Sequence, residues 1–154
     1  AFSTCMNGLK NTHGLIDELS EFALIKKKPF LGICVGMQML AKMSEENGVH
    51  EGLGWIDGQI KLLPGDNLKL PHMGWNLVIP TNSKYNNLIS TKNDYYFVHS
   101  YYFDCANKDN ILAETKYGTN FASIVRKENI YGVQFHPEKS SSQGLNLLKG
   151  FIKV

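Results

Sequence analysis

Two short segments hold the residue types that make a nucleophile and its base. The first is Gly32-Ile33-Cys34-Val35-Gly36, a G-x-C-x-G pattern between an apolar run and a helix-patterned stretch. That context predicts a nucleophile elbow, a strained strand-to-helix turn in which small residues two positions either side relieve crowding. It puts the Cys34 sulfur at a helix N-terminus, where the dipole and free N–H groups favour thiolate over thiol. The Val35 N–H is then aimed to stabilise an oxyanion, and Gln38, one helical turn on, lines the same pocket. The second segment is His136-Pro137-Glu138, the only one of five histidines followed by proline and an acid. Proline biases His136 toward an extended conformation, in which residues i and i+2 point to one side. Glu138 then accepts from one ring nitrogen and leaves the other to face Cys34. Each motif alone has a plain reading, a core cysteine closed by turn glycines and an ordinary loop histidine. Together they supply complementary parts of one mechanism, a Cys34–His136–Glu138 triad.

Helical spacing predicts helices over residues 2–10 and 15–25, interrupted at Gly14, and a further one over 36–43 ending near Glu45–Gly48. Pro29 to Cys34 reads as a buried strand, and helix, strand, tight turn and helix together indicate an α/β sheet. The second half is turn-rich at 52–58 and 63–66. Short β-patterned runs follow at 69–70, 75–79, 95–98, 122–125 and 131–135, and an amphipathic helix closes the chain over 144–151.

With 154 residues the chain suggests one domain, 1–154, with an ordinary core. A net charge of +2 points to neither nucleic acid nor an anionic membrane, and Lys26-Lys27-Lys28 reads as a solvated corner. No apolar run reaches membrane-spanning length. Cys5, Cys34 and Cys105 have neither CxxC nor zinc-ligand spacing, which favours a reduced, cytoplasmic protein with Cys5 and Cys105 structural. The chemistry expected of the triad needs no metal or organic cofactor.

The segments Pro29 to Gln38 and Tyr131 to Glu138 closely resemble the class I, triad-type glutamine amidotransferases. Within that family Pro71-His72-Met73-Gly74-Trp75-Asn76, Tyr96 to Tyr101 and His136 to Ser140 are similar to the glutaminase subunits of imidazole glycerol phosphate synthases. The resemblance implies an open mixed sheet flanked by helices, flavodoxin-like. It also implies attack of Cys34 on the side-chain amide of glutamine, giving a γ-glutamyl thioester that water resolves to glutamate. Gly36, Gln38, Glu46, Ser100 and Tyr101 match positions that hold glutamine. Met73, Gly74, Trp75, Asn76 and Lys139 match the face that meets a cyclase (β/α)8-barrel subunit, which receives the ammonia in a heterodimer.

One departure from the pattern stands out. Family members carry a strand–helix–strand stretch of ~30 residues or more before the point matching Ala1, ending in a loop that completes the oxyanion hole. The expectation is a truncated fold with a raw sheet edge and a half-built oxyanion hole, poorly active alone. Three other readings compete. They are a paralogous subunit that supplies ammonia for surface-sugar amination, a non-catalytic partner-binding fragment, and a cysteine hydrolase of esters or peptides.

Overall fold

The computed structural model describes residues 1–65, 67–81 and 88–154. Helix α1 (Phe2–Asn11) is separated by Gly14, at a left-handed φ of 72°, from α2 (Leu15–Ser20), which runs on as a π turn, Glu21–Ile25. Strand β1 (Phe30–Ile33) passes through the single residue Cys34 into α3 (Val35–Met39). Two short strands, β2 (Met43–Ser44) and β3 (His50–Glu51), precede β4 (Gly58–Leu62), β5 (His72–Pro80), β6 (Asn93–His99) and β7 (Tyr101–Cys105). The chain ends with β8 (Ile111–Tyr117), β9 (Thr119–Lys127), β10 (Ile130–Val133) and α4 (Ser141–Phe151).

Among the described residues the sheet runs β3-β2-β4-β7-β9-β8-β5-β6, with β10 joined to β9 and to β1. It is mixed, as expected: β1–β10 and β2–β4 are parallel and the other pairs antiparallel. The parallel pair sets Gly32 beside Gly132 and Ile33 beside Val133, so both strands leave the sheet at the same end. That end carries the predicted nucleophile and the predicted base.

Alternation along β9 and β10 divides the interior in two. Val125 and Ile130 face a core with Phe2, Met6, Met37, Leu40 and Ile56, under α1 and α3. Ile124, Tyr131 and Val133 face the opposite core with Tyr95, Phe97, Phe121, Phe135 and Leu147, under α4. Gly132 lets α3 settle directly on the sheet, because a Cβ there would stand 2.7 Å from Met37 Cγ. Burial of these side chains, at about 25 cal/mol per Å², is the main force holding α3 against the strands.

The structure corrects two of the local expectations. The helix predicted over 36–43 stops at Met39, and Met43–Ser44 is strand. In a longer helix the carbonyls of Met39, Leu40 and Ala41 would accept from residues 43–45. They accept instead from Leu53, Ile56 and Gly54, whose N–H groups lie 2.8–3.0 Å away. Gly52 permits that crossing, since a Cβ there would come 2.2 Å from the Ala41 carbonyl oxygen. Residues 69–70 are not strand: Lys69 presents its carbonyl to the Tyr117 hydroxyl at 2.7 Å, and Pro71 has no N–H for a ladder. Asp66 of the predicted 63–66 turn lies outside the described residues.

Candidate active site

Cys34 occupies the turn alone, with φ 51° and ψ −110°, a conformation that non-glycine residues rarely adopt. Two features hold it there. Its N–H donates to the Val133 carbonyl at 2.8 Å, which extends the β1–β10 ladder by one residue. Gly32 accepts the folded-back helix start, for a Cβ there would meet the Gly36 carbonyl oxygen at 2.5 Å and Met37 N at 2.8 Å. Gly36 itself has open space where a Cβ would sit. Crowding is therefore relieved at Gly32 alone, not on both sides of the cysteine.

His136 follows the end of β10 and is clamped to β6. Its N–H donates to the Tyr96 carbonyl at 2.9 Å, and Ser140 Oγ donates to its carbonyl at 2.6 Å while accepting from Tyr96 N at 3.0 Å. Pro137 opens a 3-10 turn over Pro137–Lys139. This turn, and not the extended chain expected through Glu138, brings Glu138 Oε1 to 2.7 Å from His136 Nδ1. A carboxylate only accepts, so Nδ1 carries the proton and Nε2 is left with the lone pair that a base needs.

A cleft of about 160 Å³ opens beside the sulfur and is lined by Cys34, Val35, Gln38, Glu46, Ser100 and Tyr101 among others. Of the predicted site residues, Gly36, His136 and Glu138 lie outside this cleft's lining, and Cys34, Val35, Gln38, Glu46, Ser100 and Tyr101 line it. Two of them have their polar groups engaged within the wall. The Gln38 amide is buried and donates to the Tyr101 carbonyl at 3.0 Å and to Gln134 Oε1 at 3.1 Å. The Glu46 carboxylate accepts from the backbone of Phe2 at 2.9 Å and from Ala1 at 3.0 Å, at the start of α1. Burial pushes the Cys34 thiol up from its ordinary value, against the lowering effect of the Val35 N–H. The helix start is outweighed by desolvation of the sulfur. Cys105 is pushed up to about 11 by burial, which fits an inert structural thiol.

His99, from the cleft wall, lies against His72 of β5. His72 Nδ1 and His99 Nε2 are 2.9 Å apart, and His99 Nδ1 is 2.8 Å from the Tyr101 carbonyl. Burial lowers both histidines from 6.5 to about 4, so they are neutral in the fold. An unfolded chain binds more protons than the native one between those values. Their contribution to stability is present above pH 6.5 and is lost as pH falls toward 4. Urea unfolding at pH 7.5 and pH 5 is expected to show a loss of roughly 2 kcal/mol per histidine. A His72→Phe/His99→Phe chain is expected to show a shallower fall over the same range.

The strand carrying the predicted partner residues sorts them by face. Met73 and Trp75 are 62% and 55% exposed and stand beside Val98 and Tyr96 of β6. Gly74 and Asn76 belong to the other face, opposite Phe97 and Tyr95, and Asn76 Nδ2 reaches the Lys116 carbonyl at 3.1 Å. Lys139 is exposed, in the turn that His136 and Ser140 tie to Tyr96. The exposed face runs into the cleft through Val98, whose carbonyl lies 4.0 Å from Cys34 Sγ.

Three polar residues at the site were missed: Gln134, His99 and His72. Gln134 is fully buried, and its Nε2 lies 3.8 Å from the Cys34 sulfur. A polar side chain within the apolar run 131–135 was the available signal. Among the described residues no group of three His, Cys, Asp or Glu is placed to hold a metal ion. Nor is any helix among them long and apolar enough to cross a membrane.

The chain is similar to known proteins in sequence and in fold. The imidazole glycerol phosphate synthase subunit HisH of Pelagibacter ubique is 44% identical over 157 residues, covering 100% of this chain and 76% of that protein. Its counterpart from Zymomonas mobilis is 46% identical over 154 residues, covering 99% of this chain and 71% of the relative. A crystal structure of a glutamine amidotransferase shares the fold, with a TM-score of 0.66 at 17% identity over 92% of this chain and 68% of its own. The family model described as glutamine amidotransferase class-I matches residues 6–154, a span that includes the Cys34 elbow and the His136–Glu138 pair. The chain belongs to the class I glutamine amidotransferase family.

Proposed function

We propose that the chain is the glutaminase subunit of an imidazole glycerol phosphate synthase, working in the cytoplasm as a heterodimer with a cyclase of (β/α)8-barrel form. The observation that carries this reading is the likeness to such subunits at 43–46% identity over nearly the whole chain. Cys34 Sγ attacks the side-chain carbonyl carbon of glutamine as His136 Nε2 takes the thiol proton. The oxyanion that forms is stabilised by the Val35 N–H. The imidazolium, held by Glu138, returns that proton to the departing amide nitrogen, and ammonia leaves a γ-glutamyl thioester. Water then attacks the thioester with His136 as base, releasing glutamate and restoring the thiol.

Ammonia made beside Val98 is next to the exposed Met73–Trp75 face, so a partner seated there takes it before it reaches solvent. Large exposed apolar side chains on a strand are the sort that anchor an interface. A Trp75→Ser chain is expected to bind the cyclase subunit at least 10-fold more weakly by titration calorimetry while keeping its melting temperature. Unchanged affinity would move the docking face elsewhere. Conversion of the cyclase substrate with glutamine as sole nitrogen source, by the mixed subunits, tests the whole reading. An ammonia-dependent partner of a different substrate class would overturn it.

A further inference from the structure

The buried polar groups behind the cleft are not separate pairs. Tyr101 O can only accept, so both groups that reach it donate: His99 Nδ1–H at 2.8 Å and Gln38 Nε2–H at 3.0 Å. With Nδ1 protonated in a neutral ring, His99 Nε2 accepts, and His72 Nδ1 at 2.9 Å must donate. His72 Nε2 then accepts from Asn76 Nδ2 at 3.1 Å, whose other proton goes to the Lys116 carbonyl. On the other side of Tyr101 the second proton of Gln38 Nε2 goes to Gln134 Oε1 at 3.1 Å. Gln134 is thereby fixed about its amide, with its NH2 group and not its oxygen presented to the sulfur at 3.8 Å. Carbonyls at Lys116 and Tyr101 leave no other assignment in which every donor meets an acceptor.

We infer that Gln134 is a positioning residue for Cys34, donating to its thiolate, that Gln38 locks its orientation, and that His99, held by His72 and Asn76, steadies the Tyr101 carbonyl to which Gln38 is bonded. The inference deepens the proposed reaction and rests on Cys34 as its nucleophile. A glutamine amide turned the other way would set an oxygen against a developing thiolate. The run of bonds makes that turn costly, because it would put two donors or two acceptors face to face in a buried place. His72 is further fixed by stacking between Phe97 and Tyr117, at ring separations of 4.9 and 4.1 Å. The run also joins the strand bearing Met73 and Trp75 to the sulfur.

The experiment is alkylation of Cys34 in the full chain by iodoacetamide, followed by peptide mass across pH 6 to 10, with Cys5 and Cys105 read in the same samples. The charged groups bearing on the sulfur are Glu138 and Cys5, and those bearing on His99 are His72 and His136; all but the substituted ones are unaltered. Gln134→Met, which keeps bulk and removes the donor, is expected to raise the midpoint of Cys34 reaction by about one pH unit. Gln134→Glu, the same shape with an oxygen toward the sulfur, is expected to raise it further. It also serves if the Met variant does not fold. His99→Phe is expected to shift the midpoint in the same direction by less, and to add nothing in the Gln134→Met background. A midpoint unmoved in folded Gln134 variants overturns the inference, as does full additivity of the His99 and Gln134 changes. Both readouts concern the thiol itself, so they stand apart from a failure of Cys34 as nucleophile, which retained glutaminase activity in a Cys34→Ala chain would reveal.

Discussion

A Cys34→Ala chain is expected to lose glutamine hydrolysis by roughly 10⁴-fold or more, whether alone or with its cyclase partner. The size follows from the loss of a covalent route: no thioester forms, and His136 and the Val35 N–H are left to assist a bare water. Cys105 does not take over: it is buried beside Asp57 and Asn107 with its ionisation suppressed, outside this cleft's lining. Folding is expected to survive, because the side-chain contacts of the sulfur are long, at 3.8 Å to Gln134 and 4.0 Å to the Val98 carbonyl. Glutamate release measured beside a urea titration separates the two effects. Activity within 10-fold of the parent would remove Cys34 from the mechanism.

Gly144→Ala is expected to be the most damaging conservative change on α4. A Cβ at that position would stand 1.8 Å from the Pro137 carbonyl oxygen and 2.7 Å from its carbon. The obstacle is backbone, so a rotamer change cannot relieve it. Either the first turn of α4 or the His136–Glu138 turn must move. Overpacking of this kind costs at least about 3 kcal/mol. A displacement of the base by about an ångström costs a further ~10²-fold in rate. Gly150→Ala on the same helix is the control, since nothing lies within 4 Å of its Cβ position. That variant gains helix propensity without a clash and is expected to be unchanged or up to about 1 kcal/mol more stable. Equal urea midpoints for the two variants would show that Pro137 yields easily.

The elbow was legible because its signal is local: a proline-entered apolar run, two glycines and a cysteine at fixed spacing. His136 and Glu138 were legible for the same reason, and Pro137 set their geometry. The end of α3 was not, because Met39, Leu40 and Ala41 keep helical spacing with Met43. What stops the helix is a second segment, Leu53 to Ile56, taking its last carbonyls. Strands β4, β7 and β8 were passed over although Gln59 to Leu62 and Phe103 to Cys105 alternate, because runs this short carry little signal until their partner strands are known. The 71–76 motif also left one contact unread, that of Asn76 Nδ2 with His72 Nε2 at 3.1 Å. What joins Gln134, His99 and His72 to their site is contacts 27 to 100 positions apart.

The parallel seam between β1 and β10 also dictates when the site comes into being. It joins residue 30 to residue 130, with the whole antiparallel part of the sheet in between. Contacts of such separation form late, after the loop-closure entropy of the intervening chain has been met by its own pairing. Until β10 docks, Cys34 lacks the Val133 carbonyl that fixes its backbone, the Gln134 amide beside its sulfur and the imidazole proposed as its base. A partly folded chain therefore displays an ordinary thiol, and on the proposed mechanism its reactivity toward glutamine waits for the last closure of the sheet.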